Sequence, residues 1–167
     1  GYEEKVKVNI FREPVSPHLA SKIESVTMDI DKIMEDYEAQ LNKHEFLVVE
    51  GAGGLIVPLI EYEYFLYDLI RELELSVIIV TRASLGTINH TALTVNNCRQ
   101  LGLNIKGLIV NGYEDTQAIN ENIQAIKAVT KEQILGIIPK IDIDRDKDFK
   151  EMKTIFEDSL DLRKILG

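Results

Sequence analysis

Five short segments carry side chains and backbone suited to chemistry, and four of them follow or close apolar runs. Val49-Glu50-Gly51-Ala52-Gly53-Gly54 sets a carboxylate at the end of one run and follows it with backbone that a ligand can approach unhindered. Mg²⁺ prefers hard oxygen ligands and commonly takes one or two protein carboxylates beside phosphates and water, so a single Glu there is enough. A tight turn with a solvated Glu is the plainer account, and Gly-rich turns are common. Thr81 to His90 reads Thr-Arg-Ala-Ser-Leu-Gly-Thr-Ile-Asn-His, with Thr87 placed to cap a helix. The free N–H groups around Gly86 to Asn89 suit a carboxylate or phosphate, and simple capping accounts for the same residues equally well.

Asn111-Gly112 closes another apolar run. An Asn side chain offers both a donor and an acceptor, as reading a purine edge requires, although Asn-Gly is also a turn former. Gly136-Ile137-Ile138-Pro139 ends a further run, where the proline can serve simply to stop a strand. Glu13-Pro14-Val15-Ser16-Pro17-His18 is restrained and predicted to be extended, because a residue before proline is pushed away from helix. His18, His44 and His90 lack the spacing of a metal triad, and no Ser-His-Asp or Cys-His signature supports nucleophilic catalysis. The single cysteine, Cys98, cannot close an internal disulfide and falls in an apolar helical pattern, as a packing residue in a reducing compartment would.

These segments need a scaffold, and hydrophobic period supplies one. Ile23, Val26, Ile30, Ile33, Met34, Tyr37 and Leu41 predict an amphipathic helix over 21–44, feeding a buried strand at Phe46-Leu47-Val48-Val49. The alternation repeats three times. Helices are predicted around Phe65–Leu73, Ile88–Leu101 and Ile119–Val129, with strands at Val77–Val80, Leu108–Val110 and Ile134–Ile138. Gly102 should end the third helix, and a last helix is predicted over 149–166. Apolar strands alternating with amphipathic helices specify an α/β domain, doubly wound on a mostly parallel sheet. In such sheets ligands bind beyond the carboxyl ends of the strands, where Glu50, Leu85 to Asn89, Asn111 and Pro139 all fall.

The chain has 167 residues, 45% hydrophobic and 28% charged, enough for one domain, 1–167, with a core. Its 19 basic against 28 acidic residues give a net charge of -9, without a basic stripe, which argues against nucleic acid as a partner. No apolar run approaches the roughly 20 residues that span a bilayer, and no signal pattern opens the chain, so a cytoplasmic location with no membrane partner is expected.

Individually these segments are common, but their succession is not. Glu-Pro-Val-Ser-Pro-His, then Val-Glu-Gly-Ala-Gly-Gly with Pro58-Leu59, then Leu-Gly-Thr-Ile-Asn-His, Ile-Val-Asn and Leu-Gly-Ile-Ile-Pro resembles the dethiobiotin synthetase family over about Phe11 to Lys140. The resemblance implies a P-loop NTPase-like fold working as a homodimer on diaminopelargonate, CO2 and ATP, with Mg²⁺ as cofactor. Glu50 then matches a magnesium ligand and catalytic residue, and Gly51, Ala52 and Gly53 match the turn beside the nucleotide. Asn111 with Gly112 matches the adenine-reading position, and Pro139, Lys140 and Ile141 match the start of the base-binding loop. Leu85, Gly86, Thr87, Ile88 and Asn89 match the helix N-terminus that receives the substrate's tail carboxylate across the dimer interface.

One departure is plain: Gly-x-x-x-x-Gly-Lys-Ser/Thr occurs nowhere in these residues. The family carries that loop, its central strand and a further magnesium-ligating Asp near its own N-terminus, so the resemblance implies a longer native chain. Two alternatives stay open: a related P-loop synthetase that amidates corrinoid precursors, and a non-catalytic dimerisation or regulatory module of the same fold. The acidic run Asp142 to Asp148 is a candidate for ribose contact or a solvated face.

Overall fold

The computed structural model describes residues 10–141 and 149–166, so the acidic run 142–148 lies outside the described residues. The chain forms two compact units, Gly1–Glu74 and Leu75–Gly167.

In the first unit, α1 (Pro17–Glu24) begins at Pro17, with Ser16 extended at its N-cap (φ -60°, ψ 147°). Pro17 and His18 are therefore helical rather than extended. The bias against helix falls on Ser16, the residue before the proline, while proline itself suits a first helical turn. The single helix predicted over 21–44 is instead two, α1 and α2 (Ile30–Leu41). Ser25 turns into the left-handed region at φ 52°, and Asp29 restarts the helix by accepting a hydrogen bond from the Lys32 N–H at 2.9 Å. An Asp that caps a new helix competes with continuation of the old one.

β1 (Pro58–Ile60) and β2 (Tyr64–Phe65) form a small antiparallel hairpin that the apolar pattern did not indicate. α3 (Leu66–Glu72) follows, its first turn closed by the Phe65 N–H donating to the Asp68 carboxylate at 3.0 Å. Ala20 and Leu59 are buried where α1 lies against β1. The strand expected at Phe46 to Val49 is not formed: residues 46–50 pair with no other segment among the described residues, and Val48 is 86% exposed. Apolar, β-prone residues become strand only where a neighbouring backbone completes the ladder.

The second unit is a three-stranded parallel sheet in the order β3 (Val77–Arg82), β4 (Ile105–Tyr113), β5 (Ile134–Pro139). α4 (Thr87–Gln100) and α5 (Gln117–Thr130) make the crossovers. Alternate β4 side chains face opposite ways: Val110 packs with Ala83 and Ile123, whereas Ile109 packs with Leu135, Ile138 and the C-terminal Leu160 and Ile165. Helices therefore cover both faces, the doubly wound α/β arrangement, with three parallel strands rather than the four expected. Val95, Cys98, Leu108 and Val110 have no exposed surface. Gly102 ends α4 at φ 71°, as predicted, and Arg99 reaches across to Thr130 O and Glu132 Oε1 at 2.5 and 2.6 Å.

The predicted terminal helix is broken into α6 (Phe149–Ser159) and α7 (Leu162–Leu166). Leu160 leaves the helix to bridge Gly136, and the Asp161 N–H donates to Leu135 O at 2.8 Å. A Cβ on Gly136 would lie 2.5 Å from Ser159 O, so only glycine admits this approach to the outer edge of β5. No helix among the described residues is long and apolar enough to cross a membrane.

Candidate functional site

Because the three strands run parallel, three of the sequence-predicted segments share the carboxyl edge of one sheet. Register pairs Arg82 with Asn111 and Asn111 with Ile138. The loop carrying Leu85 to Asn89, the Asn111-Gly112 pair and Pro139 to Ile141 therefore leave the sheet side by side. The Ala83 N–H donates to Asn111 O at 3.1 Å and the Lys140 N–H to Tyr113 O at 2.9 Å, tying each loop to β4.

At the start of α4 the residue ahead of the first turn is Gly86, at φ 88°, and no side chain caps the helix. Thr87 is thus not the cap that its position suggested but the first helical residue. It turns inward because Thr81 offers a buried hydroxyl partner. Thr81 Oγ1 lies 2.7 Å from Thr87 Oγ1 and 2.6 Å from Thr91 Oγ1, and all three side chains are buried. Thr87 and Thr91, four residues apart, share the helix face that meets β3. With no side-chain cap, the N–H groups of Ile88 and Asn89 have no protein partner among the described residues and remain free for an anion. Leu85 is fully exposed on the loop just before them.

Gly112 adopts φ 77° at a register shift between Asn111 and Tyr113. A bulge of this kind re-aims the residues beside it, and glycine accepts the conformation without strain. The exposed Asn111 carboxamide has no hydrogen-bond partner among the described residues, leaving its donor and acceptor both available. Pro139 and Lys140 are exposed, while Ile141 packs beside Ile109, Leu135 and Ile138.

Beyond the predicted residues, Tyr113, Asp115 and Asn120 form a ring of polar contacts centred on the Asp115 carboxylate. The Tyr113 hydroxyl donates to Asp115 Oδ1 (3.1 Å) and lies 3.0 Å from Asn120 Oδ1, and the Asn120 amide donates to Asp115 Oδ1 at 2.9 Å. The Asn120 and Tyr113 hydrogen bonds hold the Asp115 carboxyl below its ordinary value, and partial burial followed by Asp115 pushes the Tyr113 phenol up. Lys140 Nζ pairs with Glu114 at 3.0 Å. Sequence offered one signal here: Thr116 followed by an apolar period marks a helix start, and Thr116 Oγ1 does accept from the Ile119 N–H at 3.3 Å.

In the first unit, Glu50, Gly51, Ala52, Gly53 and Gly54 are all exposed on an open turn. Gly53 sits at φ 93°, and a Cβ on Gly51 would lie 2.6 Å from Leu66 Cδ2. Backbone conformation therefore favours glycine at Gly53, whereas the contact at Gly51 is with the movable end of a leucine side chain. The Glu50 carboxylate has no ion pair or hydrogen bond among the described residues. No cluster of three or more His, Cys, Asp or Glu side chains forms a cation cage among the described residues. Among the described residues the donor set fits magnesium held by one carboxylate together with phosphates and water, rather than an ion enclosed by protein ligands.

A family model described as an AAA domain matches residues 3–144. The chain is 41% identical over 160 residues to ATP-dependent dethiobiotin synthetase BioD of Clostridium novyi (strain NT), covering 93% of this chain and 66% of that protein. It is 40% identical over 153 residues to the protein of the same name from Clostridium acetobutylicum, covering 90% of this chain and 64% of the relative. The namesake from Bacillus licheniformis is 35% identical over 167 residues, 99% of this chain and 69% of the relative. The chain therefore spans about two thirds of the length of these curated relatives.

Proposed function

The chain belongs to the dethiobiotin synthetase family, and from that premise we propose that it serves an ATP-dependent ligase which closes the ureido ring of dethiobiotin in biotin biosynthesis. The observation that carries the reading is the carboxyl edge of the parallel sheet. There an uncapped helix N-terminus and an unpartnered Asn carboxamide lie on neighbouring loops. The first suits a carboxylate and the second a purine edge.

The proposed substrates are diaminopelargonate, CO2 and ATP. One amine of diaminopelargonate adds CO2 and loses a proton to give a carbamate. A carbamate oxygen takes the γ-phosphoryl group and ADP leaves. The second amine then attacks the carbonyl carbon, phosphate departs with the C–O electron pair, and a proton is released as the ring closes. Such chemistry needs positioning and charge neutralisation more than it needs a protein nucleophile.

Each group on the chain has a proposed share in this. The N–H groups of Ile88 and Asn89, with Leu85, Gly86 and Thr87 shaping the loop, hold the substrate's tail carboxylate. Asn111 and Gly112 read the adenine, flanked by Pro139, Lys140 and Ile141. Glu50 holds magnesium, with Gly51, Ala52 and Gly53 keeping side chains out of the phosphates' way. Magnesium bound there would neutralise charge on the transferring phosphoryl group. The enzyme is proposed to act in the cytoplasm as a homodimer.

The test is ADP release by the full-length gene product. Release that requires both diaminopelargonate and bicarbonate supports the assignment. Release with neither, or none in a folded protein that binds ATP, refutes the substrate assignment.

A further inference from the structure

The loop after β4 is held by two devices that the proposed reaction leaves unexplained. The first is the ring of Tyr113, Asp115 and Asn120, which fastens the residues after Gly112 to the first turns of α5. The second is the double tie from Lys140, whose N–H donates to Tyr113 O at 2.9 Å and whose ammonium meets Glu114 at 3.0 Å. Both converge on Tyr113-Glu114, immediately beyond the bulge that presents Asn111. The Tyr113 ring adds a third anchor, packing against the buried Ala83, Val110 and Ile123 while its hydroxyl stays in the polar ring. Left-handed Gly112 makes this bulge intrinsically pliable, since glycine has the widest conformational freedom. A pliable bulge needs external ties if the carboxamide beside it is to keep one direction.

We propose that Tyr113, through its hydroxyl ring with Asp115 and Asn120, is a positioning residue that fixes the direction of Asn111 and so sets discrimination among nucleotide bases. The inference rests on the reading of Asn111 as the base-reading residue. None of Tyr113, Asp115 or Asn120 touches the nucleotide in this account. Their effect reaches the base through the backbone of Gly112 and is reinforced by the Lys140 tie, which joins the base-binding loop of β5 to the same point. Losing the ring therefore loosens selection of the base and leaves the chemical step intact.

The experiment compares the full-length parent with Tyr113→Phe, Asn120→Ala and Asn111→Ala, measuring KM and kcat for ATP, GTP and CTP, with a melting curve for each. Tyr113→Phe keeps the ring that packs on Val110 and Ile123 and removes only the hydroxyl. The expected result is a rise of about three- to tenfold in KM for ATP, on the scale of one lost orienting hydrogen bond. The preference for ATP over GTP and CTP should shrink by a similar factor, with kcat within about twofold of the parent. Asn120→Ala should reproduce it, and Asn111→Ala should abolish the preference. If Asn111→Ala loses the preference while both ring variants keep it, the positioning role is overturned and the base-reading role stands. If Asn111→Ala itself keeps the preference, the base-reading assignment falls and this inference falls with it. A ring variant that lowers the melting temperature but leaves the ATP to GTP ratio unchanged marks the ring as purely structural and also overturns the proposal.

Discussion

Replacing Thr81 by valine is the sharpest perturbation of the edge that carries the proposed anion site. Valine matches threonine in volume, so no cavity opens and the change is chemical rather than steric. Thr81 Oγ1 is the shared partner of Thr87 Oγ1 at 2.7 Å and Thr91 Oγ1 at 2.6 Å, and all three side chains are buried. Removing it strands two hydroxyls, each at about 1–3 kcal/mol if left unpaired. Helical threonines can turn back to the carbonyl one turn earlier, which recovers part of that loss. The expected cost is therefore about 2–3 kcal/mol, or roughly 5–10 °C in Tm for a chain of this size. Thr81→Ser keeps the hydroxyl, loses one methyl and should cost about 1 kcal/mol. The assay is thermal and urea unfolding of the three proteins under identical conditions. A Thr81→Val protein within about 0.5 kcal/mol of the parent, or less destabilised than Thr81→Ser, would mean that the Thr81 hydroxyl does not hold the two helical threonines.

Cys98 has no exposed surface and burial pushes its thiol up, so it should resist iodoacetamide in the native protein at pH 8 and react fully in denaturant. Gly136→Ala should destabilise the protein by about 1–3 kcal/mol by forcing Ser159 and Leu160 away from β5, measurable as faster amide exchange at Asp161. Asp115 is held below its ordinary 3.8 by its hydrogen bonds from Asn120 and then Tyr113, so its stabilising share is present above that value and lost as pH falls through the lower folded one. Asp115→Asn should accordingly show a shallower fall in Tm than the parent below about pH 4, read from melting curves across an acid series.

Most elements of the second unit were legible in the sequence because their signals are local and redundant, whereas the break at Leu160 that splits the terminal helix was not. β-branched runs such as Val77 to Val80 and Leu108 to Val110 lie between helices whose period is clean, and Gly102 closes α4 at positive φ as its position indicates. The clustering of Leu85 to Asn89, Asn111 and Pro139 followed from parallel topology alone. The first unit was less legible because its outcome depends on partners. Phe46 to Val49 has strand composition, yet a strand forms only with a neighbour to bond. The break between α1 and α2 turned on Ser25 and on Asp29, whose capping competes with an apolar period that runs straight through. Thr87 was misplaced by one residue because Thr81, six positions away and on a strand, gave its hydroxyl a better partner than the helix end. The Tyr113, Asp115 and Asn120 ring leaves no trace in spacing, since it closes between a loop and a helix only after both are built.

The measurement that bears most directly on the central claim is product analysis with ¹³C-bicarbonate, ATP and diaminopelargonate, using the full-length protein and its Glu50→Ala variant. The expected result is dethiobiotin carrying the label in the ureido carbonyl, formed one-for-one with ADP, and a fall of at least about 100-fold in the variant, the scale of losing one transition-state electrostatic contact. Labelled product formed equally well by Glu50→Ala would remove that residue's magnesium role. Hydrolysis of ATP with no labelled carbon in any product would contradict the ligase assignment itself.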